Sequence, residues 1–256
     1  MADDLELTAP ALVRKIRART PARLFVGRSG AGYRTATQLE LRAAHAAARD
    51  AVRMQFEPEE HLGRRLMQQF ALFPAATAAA TKNEYLLFPE RGRVLDSASR
   101  QLVKQRCPMR PDLQVLIGDG LSVPAVAAQV PELLPLIVHE AGMQGWSVGQ
   151  PFAIRHCRVG IMNEIGELLQ PQVIILLIGE RPGLSTAESL SAYMAYQPNR
   201  THTDADRNLI SNIHRRGVPP DVAAHRIIAL AARLRKMGRS GSSVKEELPG
   251  EAALVG

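Results

Sequence analysis

The chain has 256 residues, of which 46% are hydrophobic and 22% charged, and its mean hydropathy is -0.10, a composition typical of soluble globular proteins. The longest apolar run, residues 173–178, is much shorter than the ~18 residues that a membrane-spanning helix requires, so no membrane helix is predicted. Cys107 and Cys157 have neither a CxxC neighbour nor a histidine at ligand spacing, which argues against a disulfide framework and a zinc site.

The net charge of +7 bears on the class of partner. Nucleic acid is one candidate, but the arginines are scattered through the predicted helices and only 4% of residues are aromatic, so a base-stacking platform is missing. We predict no nucleic-acid partner, because an acidic protein or a phosphorylated ligand explains the excess charge equally well. Residues 1–7 are acidic and lack the basic and apolar regions of a secretory signal, which predicts a cytoplasmic protein.

The N-terminal part is predicted to contain two helices separated by a strand and a loop. Residues 1–22 are interpreted as a helical arm that ends at Thr20, because the proline after it disfavours a helical conformation there. Residues 24–26 predict a short strand, and residues 35–54 predict a helix. The glycine-rich loop between them, residues 27–32, could cradle a phosphate, but it lacks a Walker lysine and the full GxGxxG spacing. A plain connecting loop is therefore favoured.

The strongest periodicity lies in the second half of the chain. Residues 173–178 are apolar on both alternating faces, as in the central strand of a parallel sheet that is covered on both sides. Residues 113–117 and 152–155 are similar, and helical segments, one over residues 124–142, separate the three runs. This alternation predicts an α/β fold with a twisted, mostly parallel sheet, right-handed crossovers and helices on both faces.

The remaining segments complete the predicted organisation. Residues 59–90 show no regular period, and a helix opens at Asp96. Residues 188–196 are either an ordinary sheet element or a ligand-facing surface, and residues 220–236 form a last helix. The predicted division is an N-terminal arm (1–22), an N-terminal α/β portion packing on the main domain (23–100), the main α/β domain (101–236) and a flexible tail (237–256).

Polar residues follow the predicted central strands. Asp119 and Glu180 each stand beside a glycine at the carboxyl end of an apolar run, where open α/β sheets bind ligands. Four loops rich in glycine and short polar side chains are predicted to hold a large polar ligand. They span residues 118–122, 158–160, 179–183 and 206–212.

The charged residues at these strand ends leave two interpretations open. Arg158, Arg181 and Arg207 are either structural ion-pair partners of Asp119, Glu180 and Asp206, in that order, or part of a ligand site. Catalytic motifs are missing: the sequence contains no HExxH and no evident Ser-His-Asp order, and Glu164 and Glu167 are assigned to a solvated polar turn. We therefore predict no catalytic and no metal-ligating residue in this chain.

At these same positions the chain resembles the small (light) subunit of adenosylcobalamin-dependent ethanolamine ammonia-lyase. The resemblance covers about residues 20–235 and includes a Gly-Arg-x-Gly loop at residues 27–30. The other matching motifs are Gly-Asp-Gly-Leu-Ser at 118–122, Arg-Val-x-Ile-x-x-x-Ile-Gly-Glu at 158–167, Gly-Glu-Arg-Pro-Gly-Leu at 179–184, Glu-Ser-Leu-Ser at 188–191 and Ala-Asp-Arg-x-x-Ile-Ser-Asn-Ile-His at 205–214.

The resemblance implies a hetero-oligomeric enzyme that converts ethanolamine to acetaldehyde and ammonia by radical chemistry. It implies that a large (heavy) subunit carries the substrate site, while this chain has a Rossmann-like fold over residues 101–236 and covers adenosylcobalamin. In such enzymes homolysis of the Co–C bond gives the adenosyl radical that abstracts hydrogen from the substrate. This chain is then expected to hold and cover the cofactor.

The resemblance also implies three cofactor-binding residues, Val159, Glu180 and Leu209. Val159 is expected to offer apolar contact and Glu180 to accept a hydrogen bond from an amide or a ribose hydroxyl. Leu209 stands where family members have cysteine, so it can offer its backbone and apolar bulk but no thiol. The competing hypothesis is a stand-alone cobalamin-binding or chaperone-like module.

The expected location is the cytoplasm, with a bacterial microcompartment as an alternative. Some relatives carry a longer leader that helps to deliver the enzyme into such a compartment, and the N-terminus here is short. A nucleotide-binding oxidoreductase is disfavoured, because the complete GxGxxG with its downstream acidic residue is missing.

Overall fold

The computed structural model describes residues 11–19 and 24–246. None of the helices in these two ranges is long and apolar enough to cross a membrane. The strands are β1 (Arg28–Ser29), β2 (Gly32–Tyr33), β3 (Phe73–Ala76), β4 (Leu113–Gly118), β5 (Phe152–Arg155), β6 (Val173–Gly179), β7 (Leu190–Tyr196) and β8 (Asn208–Ile213). The α-helices are α1 (Ala11–Ala18), α2 (Thr35–Arg53), α3 (Pro58–Leu62), α4 (Arg64–Gln69), α5 (Lys82–Leu87), α6 (Ser97–Arg106), α7 (Val123–Met143), α8 (Ile161–Leu169) and α9 (Pro220–Met237), with 3-10 turns at Pro89–Arg93 and Asp204–Asp206.

A six-stranded mixed sheet organises the chain, in the order β3-β5-β4-β6-β7-β8. The pairs β3/β5, β5/β4 and β4/β6 are parallel, whereas β7 and β8 continue the sheet as antiparallel strands. The three predicted apolar strands are β4, β5 and β6, which lie side by side at the centre. The predicted α/β class with a mostly parallel sheet is confirmed.

Helices cover both faces of this sheet because β6 is apolar at every position. Its residues Val173, Ile175 and Leu177 belong to the core that includes α7 and α9. The alternate residues Ile174 and Leu176 belong to the second core, which includes α6 and α8. Since successive side chains of a strand point to opposite faces, both faces need a helical layer to exclude water.

Three segments differ from the predictions. The predicted strand at residues 24–26 is wrong: Leu24 and Phe25 form a turn, and the small hairpin β1/β2 follows. Strand β3 was missed because it is short and contains Pro74, which a sheet tolerates at an edge. The segment predicted as the strand-end loop 206–212 mostly forms β8, the opposite edge strand, whose partly exposed residues give no continuous apolar run.

The N-terminal elements are packed much less tightly than the sheet. Helix α1 buries no residue, and the 19-residue helix α2 buries only Thr37 and Ala51. The structure therefore contains the helical part of the predicted arm over residues 11–18, while residues 1–10 and 20–23 lie outside the described ranges. The predicted helix over residues 35–54 is confirmed as α2.

The proposed division of the chain stays a prediction, although the structure bears on two of its boundaries. β3 lies before the boundary at residue 100, yet it pairs with β5 of the following portion in the same sheet. In the segment predicted as a flexible tail, Val244 is buried, and Nδ2 of Asn208 donates to the Val244 carbonyl at 2.6 Å. Residues 238–246 are thus anchored to the domain, because β8 offers them polar partners; residues 247–256 lie outside the described ranges.

Two helical glycines provide a matched test of this packing. A Cβ added at Gly166 in α8 would stand 1.9 Å from the Pro198 carbonyl oxygen, whereas one added at Gly142 in α7 would meet nothing within 4 Å. We expect Gly166→Ala to lower the free energy of unfolding by about 1–3 kcal/mol through overpacking. Gly142→Ala should raise it by up to about 1 kcal/mol, because alanine favours the helix.

The measurement is urea unfolding followed by circular dichroism. Equal changes in the two variants would contradict the packing of α8 against the loop at residue 198.

Candidate functional site

A cleft of about 400 Å³ opens at the carboxyl edge of the parallel strands. Its walls come from the segments that follow β4, β5 and β6, together with β7, β8 and α5. This edge is where the sequence predicts a ligand site and where open α/β sheets bind their ligands. The residues lining this carboxyl-edge cleft are Tyr85, Gly120, Leu121, Cys157, Arg158, Val159, Ile178, Gly179, Glu180, Arg181, Ser191, Tyr193, Leu209 and Ser211.

All three predicted site residues line the carboxyl-edge cleft, although they lie far apart in the sequence. Val159 belongs to the loop between β5 and α8, Glu180 directly follows β6, and Leu209 is on β8. The Leu209 residue is 45% exposed, so its apolar surface is available to a ligand. The structure thus brings these residues together; their role in binding a cofactor stays a prediction.

Glu180 is held by three hydrogen bonds. Its Oε2 accepts from the Ser189 hydroxyl at 2.7 Å, while its Oε1 accepts from the Ser191 hydroxyl at 2.7 Å and from the backbone N–H of Asn212 at 2.7 Å. Ser189 and Ser191 stand two residues apart, so they share one face of the extended chain. A carboxylate offers about four acceptor positions, which leaves roughly one for a ligand.

Beneath the cleft lies a buried ion pair between Lys82 and Asp119. Nζ of Lys82 stands 3.0 Å from Oδ2 of Asp119, and the two side chains are 6% and 0% exposed. The other carboxylate oxygen of Asp119 accepts the backbone N–H of Cys157 at 2.7 Å. Lys82 comes from α5, Asp119 follows β4 and Cys157 follows β5, so these contacts tie three elements together under the site.

Tyr85 extends this buried network toward the loop that carries Val159. Its hydroxyl donates to the Cys157 carbonyl at 3.1 Å, and the Arg158 guanidinium lies 4.2 Å from the centre of its ring. Burial, and then the charge of Asp119, raise the pKa of Tyr85 well above its usual value. The phenol is therefore neutral near pH 7 and acts as a fixed donor that positions residues 157–159.

Glycine is required where the β4 and β6 ends approach each other. Gly120 has a φ of +54°, and a Cβ there would stand 2.3 Å from the Gly179 carbonyl oxygen. The backbone of Leu121 donates to that same carbonyl at 3.1 Å. A larger residue at position 120 would therefore be strained and would push the two strand ends apart.

The ion pairs that one of the two interpretations assigned to Arg158, Arg181 and Arg207 are not formed among the described residues. Arg207 pairs with Asp204, and Arg158 donates to the Tyr85 carbonyl at 3.1 Å. Arg181 is exposed on the cleft wall. Within residues 11–19 and 24–246, none of the three arginines forms an ion pair with Asp119, Glu180 or Asp206. Lys82 is the partner of Asp119, and both Arg158 and Arg181 line the cleft.

The assignment of Glu164 and Glu167 to a polar turn is wrong, because both lie on α8. Glu164 accepts the Leu95 N–H at 2.6 Å and pairs with Arg100, and Glu167 pairs with Arg200. The sequence does carry the apolar spacing of an amphipathic helix, at Ile161, Ile165 and Leu168, which the assignment to a turn overlooked. Their partners give both residues structural roles.

Sequence reasoning missed Lys82 and Tyr85, which lie in the segment without regular period. A local signal for their helix does exist, because Thr81 and Glu84 have the spacing of a helix N-terminal cap. In the structure the Thr81 hydroxyl accepts the Glu84 N–H at 3.2 Å, which starts α5 at Lys82. The cap predicts the helix, but it does not predict that Lys82 meets an aspartate 37 residues later.

Comparisons with known proteins agree on one family. The family model for the ethanolamine ammonia-lyase light chain (EutC) matches residues 10–245. A Clostridium perfringens protein named ethanolamine ammonia-lyase small subunit is 38% identical over 231 residues, which are 90% of this chain and 76% of the relative. The protein of the same name from Clostridium acetobutylicum is 36% identical over 231 residues, or 90% of this chain and 93% of the relative.

The buried ion pair leads to a test with an internal control. Lys82→Met leaves the Asp119 carboxylate buried without its cation, and we expect it to lower the free energy of unfolding by about 3–5 kcal/mol. Adding Asp119→Asn to this variant removes the buried charge while an amide oxygen can still accept the Cys157 N–H. The double variant should therefore regain a large part of the loss.

Urea unfolding of the two variants and of the unchanged chain measures these differences. A double variant that is less stable than Lys82→Met alone would show that the charge of Asp119 is stabilising without Lys82, against this account.

Proposed function

Because the chain belongs to the ethanolamine ammonia-lyase light chain family, we propose that it is the small subunit of an adenosylcobalamin-dependent ethanolamine ammonia-lyase. The reaction converts ethanolamine to acetaldehyde and ammonia. The observation that carries the proposal is the convergence of Val159, Glu180 and Leu209 on one cleft. These residues are separated by 21 and 29 positions in the sequence and meet only in the folded chain.

The chemistry of the carboxyl-edge cleft fits part of a cobalamin. Val159, Ile178 and Leu209 offer apolar surface to a corrin or to its aromatic base. Glu180 retains acceptor capacity for one amide N–H. The Ser191 hydroxyl donates to Glu180, and its lone pairs can accept a second amide N–H. Cobalamin carries many amide groups, so these acceptors match its periphery.

The size of the cleft supports a division of the cofactor site between two chains. A volume of about 400 Å³ is small within the range of about 300–1,000 Å³ for sites that bind drug-sized ligands. Cobalamin is larger than such ligands, so we propose that the large subunit covers the remainder and carries the substrate site. Leu12, Phe25 and Leu39 are exposed apolar residues that such a partner could bury.

In this proposal the residues of the chain bind, orient and exclude water. The radical chemistry is supplied by the cofactor when it is bound. Val159 and Leu209 keep water from the covered face, and Glu180 sets the orientation through its remaining acceptor position. The Lys82–Asp119 pair and Tyr85 are positioning residues, because they hold the backbone of Cys157 next to Val159. Location in the cytoplasm or in a bacterial microcompartment stays a prediction.

The decisive experiment is reconstitution with a large subunit. We expect a complex purified after co-expression to release acetaldehyde from ethanolamine only when both chains and adenosylcobalamin are present. Acetaldehyde can be measured by its reduction with alcohol dehydrogenase and NADH. A chain that binds cobalamin alone and never forms a complex would instead support a stand-alone binding or chaperone-like module.

Glu180 provides a test of the cleft itself. We expect Glu180→Ala to weaken retention of cyanocobalamin by the complex about tenfold, the loss typical of one hydrogen bond to a charged group. Glu188→Ala is the matched control, because Glu188 is exposed and lies outside the carboxyl-edge cleft.

Equilibrium dialysis of the two variant complexes measures the affinities. If Glu180→Ala retained the affinity of the control, Glu180 would have no part in cofactor binding.

A further inference from the structure

A second cavity, of about 490 Å³, lies beside the carboxyl-edge cleft, and arginines dominate its walls. Four guanidinium groups and two carboxylates line it: Arg93, Arg100, Arg200, Arg207, Glu164 and Asp204. We call it the arginine cavity. Gly160, Asn163, His202 and Thr203 are among its other wall residues.

Three of the four arginines already have carboxylate partners, and the fourth does not. Arg100 pairs with Glu164, and Arg200 and Arg207 pair with Glu167 and Asp204. The Arg93 guanidinium makes no ion pair or hydrogen bond with any residue in the ranges 11–19 and 24–246. The cavity therefore has an unbalanced positive charge.

The aliphatic part of the exposed Arg93 side chain packs against the backbone at Gly160. A Cβ added at Gly160, the residue before α8, would stand 2.9 Å from both Cγ and Cδ of Arg93. The side chain of Arg93 thus lies flat against a glycine, next to the start of a nine-residue helix. The N-terminal end of a helix also attracts negative charge, which adds to the effect of the arginine.

Arg207 is a second, buried donor whose hydrogen bonding is incomplete. Its side chain is 4% exposed, whereas the side chain of its partner Asp204 is 87% exposed. Its two terminal nitrogens donate to Asp204 and Asn163, but its buried Nε has no acceptor among the described residues. Burial lowers the pKa of Arg207, and the nearby charge of Arg93 lowers it further. Arg93 and Arg207 line the same cavity, and two guanidinium groups that share a cavity favour an anion bound there.

We propose that the arginine cavity binds a phosphate group. Guanidinium groups bind phosphate oxygens with paired, charge-assisted hydrogen bonds, which suits Arg93 and, after a small shift of its side chain, Arg207. Residues close together in the sequence line the arginine cavity and the carboxyl-edge cleft at two places. Val159 lines the cleft and Gly160 the cavity, while Leu209 lines the cleft and Arg207 the cavity.

This adjacency identifies the source of the phosphate if the proposed function is correct. Cobalamin carries one phosphodiester, in its nucleotide tail, and a corrinoid seated on Val159 and Leu209 would have that tail within reach of the neighbouring cavity. The assignment to the cofactor tail rests on the proposed function. The existence of the phosphate site does not, because it depends on Arg93, Arg207 and Gly160 alone.

The test uses Arg93→Gln, with Arg91→Gln as its control. Arg91 lies on the same 3-10 turn but pairs with Glu84 and lines neither the arginine cavity nor the carboxyl-edge cleft. Arg93 makes no hydrogen bond or ion pair with a described residue, and glutamine keeps the Cβ, Cγ and Cδ atoms that pack against Gly160, so the fold is expected to persist. Two measurements are made on each variant.

The first measurement is calorimetric titration of the full chain with inorganic phosphate, against sodium chloride of equal ionic strength. The second is the affinity of the complex with the large subunit for cyanocobalamin and for dicyanocobinamide, which lacks the nucleotide tail and its phosphodiester. We expect Arg93→Gln to abolish phosphate binding and to weaken cyanocobalamin about tenfold, the size of one lost charge-assisted hydrogen bond. Dicyanocobinamide affinity should be unchanged, and Arg91→Gln should behave as the unchanged chain.

The other outcomes are also decisive. Loss of phosphate binding without a selective loss of cyanocobalamin assigns the cavity to a free phosphate, and a selective loss of cyanocobalamin alone assigns it to the tail. The proposal is overturned if Arg93→Gln changes neither phosphate binding nor cyanocobalamin affinity. It is also overturned if the variant weakens both corrinoids alike while phosphate binding is unchanged or is not detected in either protein. If the unchanged complex binds no corrinoid, the proposed function fails, whereas the phosphate titration still decides the site.

Discussion

Complete burial of β4 and β6 is the constraint on which the rest of the structure depends. Every residue of the two strands is buried, so both faces of the sheet need a helical layer, and α6 to α9 provide it. Gln114 is the one polar side chain within these two strands, and its amide donates to the Val115 and Gln150 carbonyls. Other polar side chains are excluded from the strands. They gather at the strand ends, where the chain leaves the core and where the carboxyl-edge cleft opens.

The Lys82–Asp119 pair is buried at the end of β4, directly beneath the carboxyl-edge cleft. A charge at the end of a buried strand is costly unless it is matched, and here one ammonium group and one backbone N–H match the Asp119 carboxylate. The same contacts align α5 and the segment after β5. The ion pair thus contributes less to net stability than to the position of Val159 and of the residues around it.

Two neighbouring sites of different chemistry result from this arrangement. The carboxyl-edge cleft combines apolar walls with the acceptors of Glu180 and Ser191, while the arginine cavity has one guanidinium group, that of Arg93, without a carboxylate partner among the described residues. A ligand with an apolar body, many amides and one phosphate would use both. In the proposed function a large partner subunit would enclose the rest of that ligand. The N-terminal helices α1 and α2, which bury few residues within this chain, are available to such a partner.

Local pattern in the sequence determined the central strands, the long helices and the strand-end position of Glu180, because the periodicity of apolar residues is a property of the segment itself. It also carried the motifs by which Val159, Glu180 and Leu209 were predicted. Only the tertiary structure decided the edge strands β3 and β8, which depend on cross-strand hydrogen bonds to buried neighbours. It likewise decided that Asp119 meets Lys82 and that Arg93 and Arg207 line one cavity, because these residues are far apart in the sequence and no local pattern predicts that they come together.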